Sequence, residues 1–595
     1  MEYVSGLTWK QETKIVIGID IGTTQSAVSV GLLEQGVDVK KALHSVTEWP
    51  GQWTKQSKIP TAIWYDSSRK PMSFGAEAMS YETEDKADDL KWVLAKEFKL
   101  LLHPDELRAG LKTETLPYGV TLEQVYTDFL KYLFQHTEKF FKDIIAHGDR
   151  LWPRYRSTME FFIAHPNAWS TREQAFLRKV ATQAGLVNAI NASKNVRFVT
   201  EAEASIHYCL YDSNLMHHLK IGTNFAVCDA GGSTVDTTLY SVAATSPIFK
   251  VEEKRAPGCV QAGAIYVDRE AKAYMEAAFR RAGRSDDDVS MYSKNGIRDF
   301  EAHAKRAFRD EVDGQIYIGN STLTLSPAGV RRGRMTIAKP SMKSFFDVCV
   351  KKILSNVDEL LKGVRVSYVL LVGGFGDSAC LRDEFRRQYA KDGCEVILVD
   401  SSRPTSKAVA DGAIIWSYSQ VVISRRPRAS YGSTCATLRD LSNPHHVGRP
   451  FLVGLDGSER VLGLWETLVH KDVPLQITSV NRSTFTRQYS TSAPSLGNFE
   501  DTFEAYAGDN PPYWSKSPGG LYNPGFRSEC KVTANLQSLP GALEMKFGAG
   551  GNPYWELVFS LCIRFGGVEL EAYLEWEEKG VTRQGAVTIV PDRPI

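Results

Sequence analysis

Two segments of the chain each place an aspartate just before glycines and hydroxyl residues, at the end of an apolar run. Asp20 precedes Gly22, Thr23 and Thr24 in the first segment, and Asp229 precedes Gly231, Gly232, Ser233 and Thr234 in the second. Glycines let backbone N–H groups approach an anion closely, and hydroxyl groups add hydrogen-bond donors. A carboxylate repels phosphate unless a cation lies between them, and Mg²⁺ binds one or two carboxylates together with phosphates and water. The pair Asp20 and Asp229 therefore predicts a phosphate site with Mg²⁺ held through water, against the alternative of two ordinary glycine hairpins.

A third segment ends an apolar strand on Gly373 and Gly374, and a helix is expected to begin near Asp377 or Ser378. Paired glycines before a helix N-terminus accept a nucleotide close to the backbone. This feature is weak alone, because many α/β proteins end a strand on two glycines. Beside the two aspartate turns, it favours a nucleotide as the phosphate ligand.

The spacing of apolar residues predicts the strands and helices that must position these residues. Residues 14–31 and 225–242 each predict a strand, a tight glycine turn and a second strand. Helical spacing opens at Thr121, where Gln124 completes the spacing of a capping box. Strands and helices alternate to about residue 423, which predicts an α/β architecture. After the segment 424–432 the helical periods vanish, and short alternating stretches predict a β-sandwich.

Length and composition limit the classes of protein to which the chain can belong. The chain has 595 residues, which at about 150 residues a domain predicts about four domain-sized units. It carries 71 basic and 70 acidic residues, and this balance argues against nucleic acid as the main partner. The nine cysteines form no Cys-x-x-Cys pair, so we expect reduced thiols and no zinc site. The chain has no apolar run of about 18 residues and its start lacks the order of a signal peptide, so we expect a cytoplasmic protein without a membrane span.

Six motifs follow one another in an order that resembles the ATPase domain of the seventy-kilodalton heat-shock chaperones, within the actin and sugar-kinase superfamily. They are IGIDIGTTQSAV, FVTEAEASI, VCDAGGSTVDT, AHAKRAF, VLLVGGFGDSACL and KAVADGAII, and the match runs over residues 14–423. The resemblance implies a two-lobed actin-like (ribonuclease-H-like) α/β ATPase domain, followed by a C-terminal β-sandwich that resembles the family's peptide-binding domain. The basic segment SRRPR replaces the family's leucine-rich acidic linker, and the chain ends soon after the β-sandwich. These two features resemble the divergent, lidless branch of the family.

The resemblance also implies a division of the chain into domains. The expected parts are an N-terminal tail (1–12), ATPase lobe I (13–220), ATPase lobe II (221–423, returning to lobe I near 401–423), a linker (424–432) and a β-sandwich without a helical lid (433–595).

Site roles carry over position by position. Asp20 and Asp229 would hold the hydration shell of Mg²⁺, Glu201 would orient water, and Asp236 would lie near K⁺. The remaining matched positions would bind phosphate, ribose or adenine. They are Gly22, Thr23, Thr24, Gly231, Gly232, Ser233, Thr234, Gly263, Lys305, Arg306, Gly373 and Gly374. Asp268 resembles the aspartate that follows the family's phosphate-side glycine.

Two features of the match leave questions open. The family's phosphate-contacting lysine corresponds to Lys96 by one motif and to Lys99 by another, so both remain candidates. Phe375 and Asp377 stand where the family has a small hydroxyl residue and a basic residue beside adenine. The sequence therefore predicts a nucleotide site whose adenine pocket differs from that of the family.

The expected function is that of a chaperone-like ATPase that binds ATP or ADP with Mg²⁺ and hydrolyses ATP slowly. Its lobes would close over the nucleotide and regulate the binding of extended polypeptide by the β-sandwich. Two alternatives stay open at this point. The first is a nucleotide-gated scaffold that does not hydrolyse ATP, and the second is a metabolite kinase of the same superfamily, for which no substrate base is visible.

Overall fold

The computed structural model describes residues 8–108, 111, 113–212, 214–246, 248–309, 311–398, 408–564 and 568–591. The chain divides into two units, of which the first comprises Met1–Trp169, Leu177–Glu252 and Pro257–Val421. The second comprises Ser170–Phe176, Glu253–Ala256 and Val422–Ile595. Parts of the predicted tail (1–7) and of the predicted return to lobe I (401–407) lie outside the described residues. Within the described ranges, no helix has both the length and the apolar character needed to cross a membrane.

The part of the chain before residue 220 contains the first aspartate turn. The strands are β1 (Lys14–Ile21), β2 (Gln25–Leu33), β3 (Leu43–Ser45), β4 (Lys58–Pro60), β5 (Ala62–Tyr65), β6 (Pro71–Phe74), β7 (Val93–Lys96), β8 (Glu160–His165) and β9 (Val196–Thr200). The helices are α1 (Gly75–Ala78), α2 (Tyr81–Leu90), α3 (Lys99–Leu102), α4 (Asp105–Arg108), α5 (Leu122–Ile144), α6 (Gly148–Tyr155), α7 (Thr171–Gln183), α8 (Ala192–Asn195) and α9 (Glu201–Asp212).

The first lobe is built on a mixed sheet with β1 near its centre. Its strand order is β3-β2-β1-β8-β9, and β4 also pairs with β2. β1 is antiparallel to β2 and parallel to β8, and β8 is parallel to β9. The apolar run from Ile15 to Ile19 is fully buried, as expected for a strand covered on both faces. The N-terminal cap of α5 is formed by residues close in the chain, since Thr121 Oγ1 accepts a hydrogen bond from the Gln124 N–H at 3.1 Å.

The part of the chain from residue 221 to residue 421 contains the second aspartate turn. The strands are β10 (Asn224–Ala230), β11 (Thr234–Ala244), β12 (Lys250–Glu253), β13 (Gly258–Gln261), β14 (Gly314–Tyr317), β15 (Val330–Arg331), β16 (Arg334–Ile337), β17 (Tyr368–Val372) and β18 (Glu395–Leu398). The helices are α10 (Ala264–Arg281), α11 (Asp286–Asp299), α12 (Lys305–Ala307), α13 (Lys339–Leu361), α14 (Ala379–Tyr389) and α15 (Ala408–Tyr418).

The second lobe repeats the central arrangement of the first. β10 is antiparallel to β11 and parallel to β17, and β17 is parallel to β18. The order β11-β10-β17-β18 therefore corresponds to β2-β1-β8-β9. The helix α15 lies in the core of the first lobe, where a Cβ atom on Gly18 would overlap the carbonyl oxygen of Ala410. The last helix of the first unit is thus built into the lobe in which the chain began.

From Val422 onward, the second unit is built mainly of strands. They are β19 (Val422–Arg425), β20 (Ser430–Leu438), β21 (Phe451–Val453), β22 (Glu459–Val469), β23 (Leu475–Gln476), β24 (Val480–Tyr489), β25 (Asn498–Tyr506), β26 (Phe526–Asn535), β27 (Leu543–Phe547), β28 (Pro553–Arg564), β29 (Glu571–Glu578), β30 (Val581–Ala586) and β31 (Thr588–Pro591). The predicted linker 424–432 contains the end of β19 and the start of β20.

Two sheets enclose the core of the second unit. One has the order β21-β22-β20-β25-β26-β31, and the other has the order β24-β28-β29-β30 with β27 beside β28. Phe499 and Phe503 from the first sheet pack with Leu557, Phe559 and Leu561 from the second. The α/β architecture and the C-terminal sheet region that the sequence predicts are thus confirmed.

Candidate functional site

The two aspartate turns lie at equivalent places in the two lobes. Asp20 comes one residue before the end of β1 and pairs across the hairpin with Ala27 on β2. Asp229 comes one residue before the end of β10 and pairs with Asp236 on β11. Asp20 is 4% exposed and Asp229 is 5% exposed. The repeated hairpin therefore delivers one buried carboxylate from each lobe.

At one glycine of each turn, a side chain would come close to a neighbouring atom. A Cβ atom on Gly22 would overlap the carbonyl oxygen of Gln25. A Cβ atom on Gly232 would lie 2.7 Å from the hydroxyl oxygen of Thr24, which belongs to the turn of the other lobe, while Thr23 is buried. The two turns therefore face each other at close range, and their backbone N–H groups and hydroxyls are gathered in one place.

The turn of the second lobe is braced by the start of α10. The Gly231 N–H donates to the carbonyl oxygen of Thr234 at 3.0 Å and closes the turn. The Gly263 N–H donates to the carbonyl oxygen of Ser233 at 2.7 Å, and a Cβ atom on Gly263 would overlap the Ser233 nitrogen. The structure thus places Gly263 against the turn, where the absence of a side chain lets the helix approach.

The third glycine segment meets the second turn at Asp229. Gly373 has a φ of +83°, and a Cβ atom there would overlap Asp229 Oδ1 and the carbonyl oxygen of Ala230. The Phe375 N–H donates to that same carbonyl oxygen at 2.8 Å. A Cβ atom on Gly374 would have nothing within 4 Å, so the space in front of Gly374 is open. The end of β17 is therefore locked against β10 and leaves open space beside the carboxylate.

The two residues that depart from the family pattern have structural contacts. Phe375 is 3% exposed and stacks on Phe346, with 6.5 Å between the ring centroids. The Asp377 carboxylate forms an ion pair with the guanidinium of Arg382. The first departure therefore fills the core of the second lobe, and the second is neutralised on α14.

Four buried carboxylates form the centre of the site. Glu201 begins α9 and is 9% exposed, and Asp236 is 1% exposed. The pKa of Asp229 is raised to about 7, first by burial and then by the charges of Glu201 and Asp20, although the Ser205 hydroxyl donates a hydrogen bond to it at 2.6 Å. Burial and the Asp20 charge also raise the pKa of Glu201. Carboxylates that repel one another in this way create a field that favours a cation.

Of the two candidate lysines, the structure brings Lys99 to the carboxylates. Its Nζ lies 2.6 Å from Glu201 Oε1, and the residue is 3% exposed. Burial lowers the pKa of Lys99, but the charges of Glu201 and Asp20 outweigh it and raise the pKa above its ordinary value. The Lys96 side chain is 46% exposed, and its Nζ lies 3.8 Å from Glu114 Oε1. The two alternatives that the motifs left open are therefore separated by burial.

A second lysine that no motif marks also reaches the cluster. Lys58 Nζ lies 3.2 Å from Asp20 Oδ2. Lys58 begins β4 and stands opposite Ala27 on β2, which in turn stands opposite Asp20 on β1. The lysine therefore reaches across one strand, past a small alanine. Its position depends on a long-range strand pairing, and for that reason the sequence holds no local signal for it.

An aromatic cluster supports Lys99. The Trp169 ring centroid lies 5.6 Å from Lys99 Nζ, a distance at which the ring attracts a cation. The Trp169 indole N–H donates to Nδ1 of His103 at 2.9 Å, and the His165 ring stacks on the indole. Burial lowers the pKa of His103 to about 3 and that of His165 to about 4, so both rings are neutral at physiological pH. Lys99 thus lies against neutral aromatic rings, which place no further positive charge beside its ammonium group.

The predicted ribose and adenine residues lie on α12. Lys305 Nζ contacts both carboxylate oxygens of Asp268, at 2.7 and 2.8 Å, and Arg306 is exposed. Burial raises the pKa of Asp268 to about 7, although the Lys305 charge opposes the shift. A π-helical turn (Phe300–Ala304) precedes α12, and such turns shift the register of a helix, often at functional sites. The structure therefore pairs Lys305 with Asp268 and leaves the Arg306 guanidinium at the surface.

The chain is similar in sequence to a curated heat-shock protein. No family model matches the chain. The chain is 22% identical over 508 residues to human heat shock 70 kDa protein 12B, and the match covers 70% of this chain and 71% of the relative. The match supports membership of the chain in the seventy-kilodalton heat-shock protein family, within the actin-like ATPase superfamily. The repeated lobes and the C-terminal sheet region are consistent with that membership.

Proposed function

We propose that the chain is a chaperone-like ATPase that binds ATP and ADP and hydrolyses ATP slowly. The observation that carries this proposal is the close approach of the two glycine turns, with the Gly232 position 2.7 Å from the Thr24 hydroxyl. Turns from two lobes that meet beside buried carboxylates suit a polyphosphate, because backbone N–H groups meet its charge from both sides. The opening before Gly374 would take the nucleoside.

The donor set of the site fits Mg²⁺. Asp20 and Asp229 offer hard carboxylate oxygens, which Mg²⁺ prefers. Within the described part of the chain, no group of three or more histidine, cysteine, aspartate or glutamate side chains is placed to hold a metal ion. Asp20 and Asp229 would hold this ion through its water shell, which Mg²⁺ usually retains in part. Bound Mg²⁺ would neutralise charge on the phosphates, and we further propose K⁺ near Asp236.

In the hydrolysis of ATP, Glu201 and Lys99 would have different roles. Glu201 would accept a hydrogen bond from the attacking water and so orient its oxygen toward the terminal phosphorus. That oxygen would bond to phosphorus while the bond from phosphorus to the departing ADP oxygen breaks, and the proton that the water gives up would leave with the released phosphate. Lys99 would stabilise the charge on the transferred group, as a fixed cation does in phosphoryl transfer. The 2.6 Å contact between Lys99 and Glu201 would hold both groups at one place.

We also propose that the second unit binds extended polypeptide, under regulation by the nucleotide. The support is β21, which lies at the end of its sheet order and carries three exposed apolar residues in succession. Phe451 is 41% exposed, Leu452 is 58% exposed and Val453 is 65% exposed. An edge strand with apolar side chains pairs readily with another extended chain.

Thermal unfolding with ATP or ADP, with and without Mg²⁺, tests the nucleotide site. A ligand at 100 times its Kd adds about 2.7 kcal/mol of stability. Asp229→Ala should reduce ATP turnover about a hundredfold, since removal of a contact to developing charge costs roughly 3 kcal/mol. Asp287→Ala, at an exposed position on α11, is the matched control and should keep the activity.

The outcomes separate the alternatives. If neither nucleotide raises the unfolding temperature, the proposed site is wrong. Tight ATP binding without turnover would indicate a nucleotide-gated scaffold. Transfer of phosphate to a metabolite in a substrate screen would indicate a kinase of the same superfamily.

A further inference from the structure

Lys58 is placed as a cation within the carboxylate cluster. Its ammonium group lies 3.2 Å from Asp20 Oδ2, and the two side chains are 17% and 5% exposed. This contact is fixed by strand register. Asp20 on β1 stands opposite Ala27 on β2, and Ala27 stands opposite Lys58 on β4. Because Ala27 is small and 1% exposed, the lysine side chain can cross it. The contact is therefore part of the sheet and not a chance meeting of surface side chains.

The charges of the cluster show why this position matters. Asp20, Glu201, Asp229 and Asp236 bring four buried carboxyl groups. Lys99 contacts Glu201, whereas Lys58 contacts Asp20, one of the two carboxylates proposed for Mg²⁺. The charge of Lys58 also acts on Glu201 and Asp229, whose pKa values it lowers against the effect of burial. Lys58 thus offsets the negative charge that an incoming polyphosphate meets.

We propose that Lys58 is a built-in counter-ion of the nucleotide site, which lets the site bind nucleoside di- and triphosphates without a divalent cation. The inference rests on the proposed nucleotide-binding function. In the absence of metal, the Lys58 ammonium neutralises Asp20 and is within reach of phosphate oxygens through its flexible stem. When Mg²⁺ is present, the ion supplies the same charge at the same carboxylate, and Lys58 becomes dispensable for binding.

Nucleotide affinity with and without metal tests this proposal. The Kd values for ATP and ADP are measured by titration calorimetry in Mg²⁺ and in EDTA, for the wild type, Lys58→Met and Lys58→Arg. We expect wild-type affinities in EDTA to lie within about tenfold of those in Mg²⁺. Lys58→Met should weaken binding in EDTA at least about tenfold, because a cation is lost beside several carboxylates. In Mg²⁺ the same variant should stay within about threefold of the wild type, and Lys58→Arg should behave as the wild type in both conditions.

Lys55→Met is the matched control. Lys55 lies in the same segment, its side chain is 76% exposed, and it pairs with Glu48 at the surface. This variant should leave both affinities unchanged. Thermal unfolding without nucleotide shows whether Lys58→Met is folded, and Lys58→Arg tests charge in a side chain of similar length.

Several results would overturn the proposal. Wild-type protein that binds only with Mg²⁺, or a Lys58→Met loss of equal size in Mg²⁺ and EDTA, would show that Lys58 does not replace the metal. An unchanged nucleotide affinity of Lys58→Met in EDTA would also show that Lys58 does not replace the metal. If the wild type binds no nucleotide even with Mg²⁺, the proposed function itself fails. If the wild type binds nucleotide in Mg²⁺ but one of the first three results is found, only the Lys58 inference is refuted, and the proposed function is not affected.

Discussion

At the scale of single residues, Lys96 and Lys99 show how the backbone separates two similar side chains. β7 ends at Lys96, and the chain then turns at Glu97, which has a φ of +53°. Phe98 is fully buried beyond the turn, and Lys99 begins α3. The turn therefore leaves Lys96 at the surface and directs Lys99 inward, to the carboxylate of Glu201.

The first prediction at this scale compares the two lysines. Lys99→Met should lower the rate of ATP hydrolysis about a hundredfold, because a cation is lost where charge develops on the transferred group. Lys96→Met should change the rate less than about twofold, since its ammonium group is exposed and 3.8 Å from its partner. Single-turnover kinetics with purified protein measure both rates.

Folding must be separated from catalysis in this test. Lys99→Met leaves the buried Glu201 carboxylate without its contact, which is itself destabilising. The double variant Lys99→Met/Glu201→Gln removes both charges and shows whether the protein is stable without the pair. Equal rates for Lys96→Met and Lys99→Met would contradict the assignment of Lys99.

At the scale of elements, the sequence predicts what depends on neighbouring residues and misses what depends on strand register. Both strand–turn–strand segments and the Thr121 cap are visible locally, since their residues are close in the chain. The contact of Lys58 with Asp20 needs the pairing of β4 with β2. The wall that Trp169 forms beside Lys99 likewise brings together residues far apart in the chain. Burial, which decides between Lys96 and Lys99, also appears only once the elements have packed.

The end of β17 gives the prediction at this scale. Gly373→Ala should lower the free energy of unfolding of the nucleotide-free protein by at least about 1–2 kcal/mol, the cost of a side chain in the left-handed region. Overlap with Asp229 Oδ1 and the Ala230 carbonyl adds to that cost. Gly374→Ala is the neighbouring control and should change stability by less than about 0.5 kcal/mol, because its Cβ would meet open space. Chemical denaturation measures both, and equal losses would contradict this view of the strand end.

At the scale of the whole molecule, a net charge of only +1 is compatible with a site for highly charged ligands. The cluster offsets part of its own negative charge, because Lys58 and Lys99 each contact one of its four carboxylates. We therefore expect the proposed phosphate ligand to be met by these lysines and by the backbone N–H groups of the turns, and not by a general basic surface. Ion pairs are also found among the contacts between the two lobes of the first unit.

Two sets of ion pairs join the lobes. Arg269 on α10 contacts Glu97 at 2.6 Å, and Lys294 on α11 contacts Glu84 at 3.3 Å. Arg298 on α11 also pairs with Glu84. Glu84 is 8% exposed, so its contacts are shielded from solvent more than those of an ordinary surface pair. If the lobes separate to release nucleotide, these contacts must break.

The last prediction tests that consequence. Glu84→Gln should speed the release of ADP about tenfold at low ionic strength, which corresponds to about 1.4 kcal/mol of lost attraction between the lobes. Release from the wild type should accelerate as salt is added, because screening weakens the pairs, while release from the variant should depend less on salt. Stopped-flow displacement of a fluorescent ADP measures the rates, and Glu82→Gln, exposed on the same helix α2, is the control. The same salt dependence in wild type and Glu84→Gln would show that the ion pairs do not hold the lobes together during release.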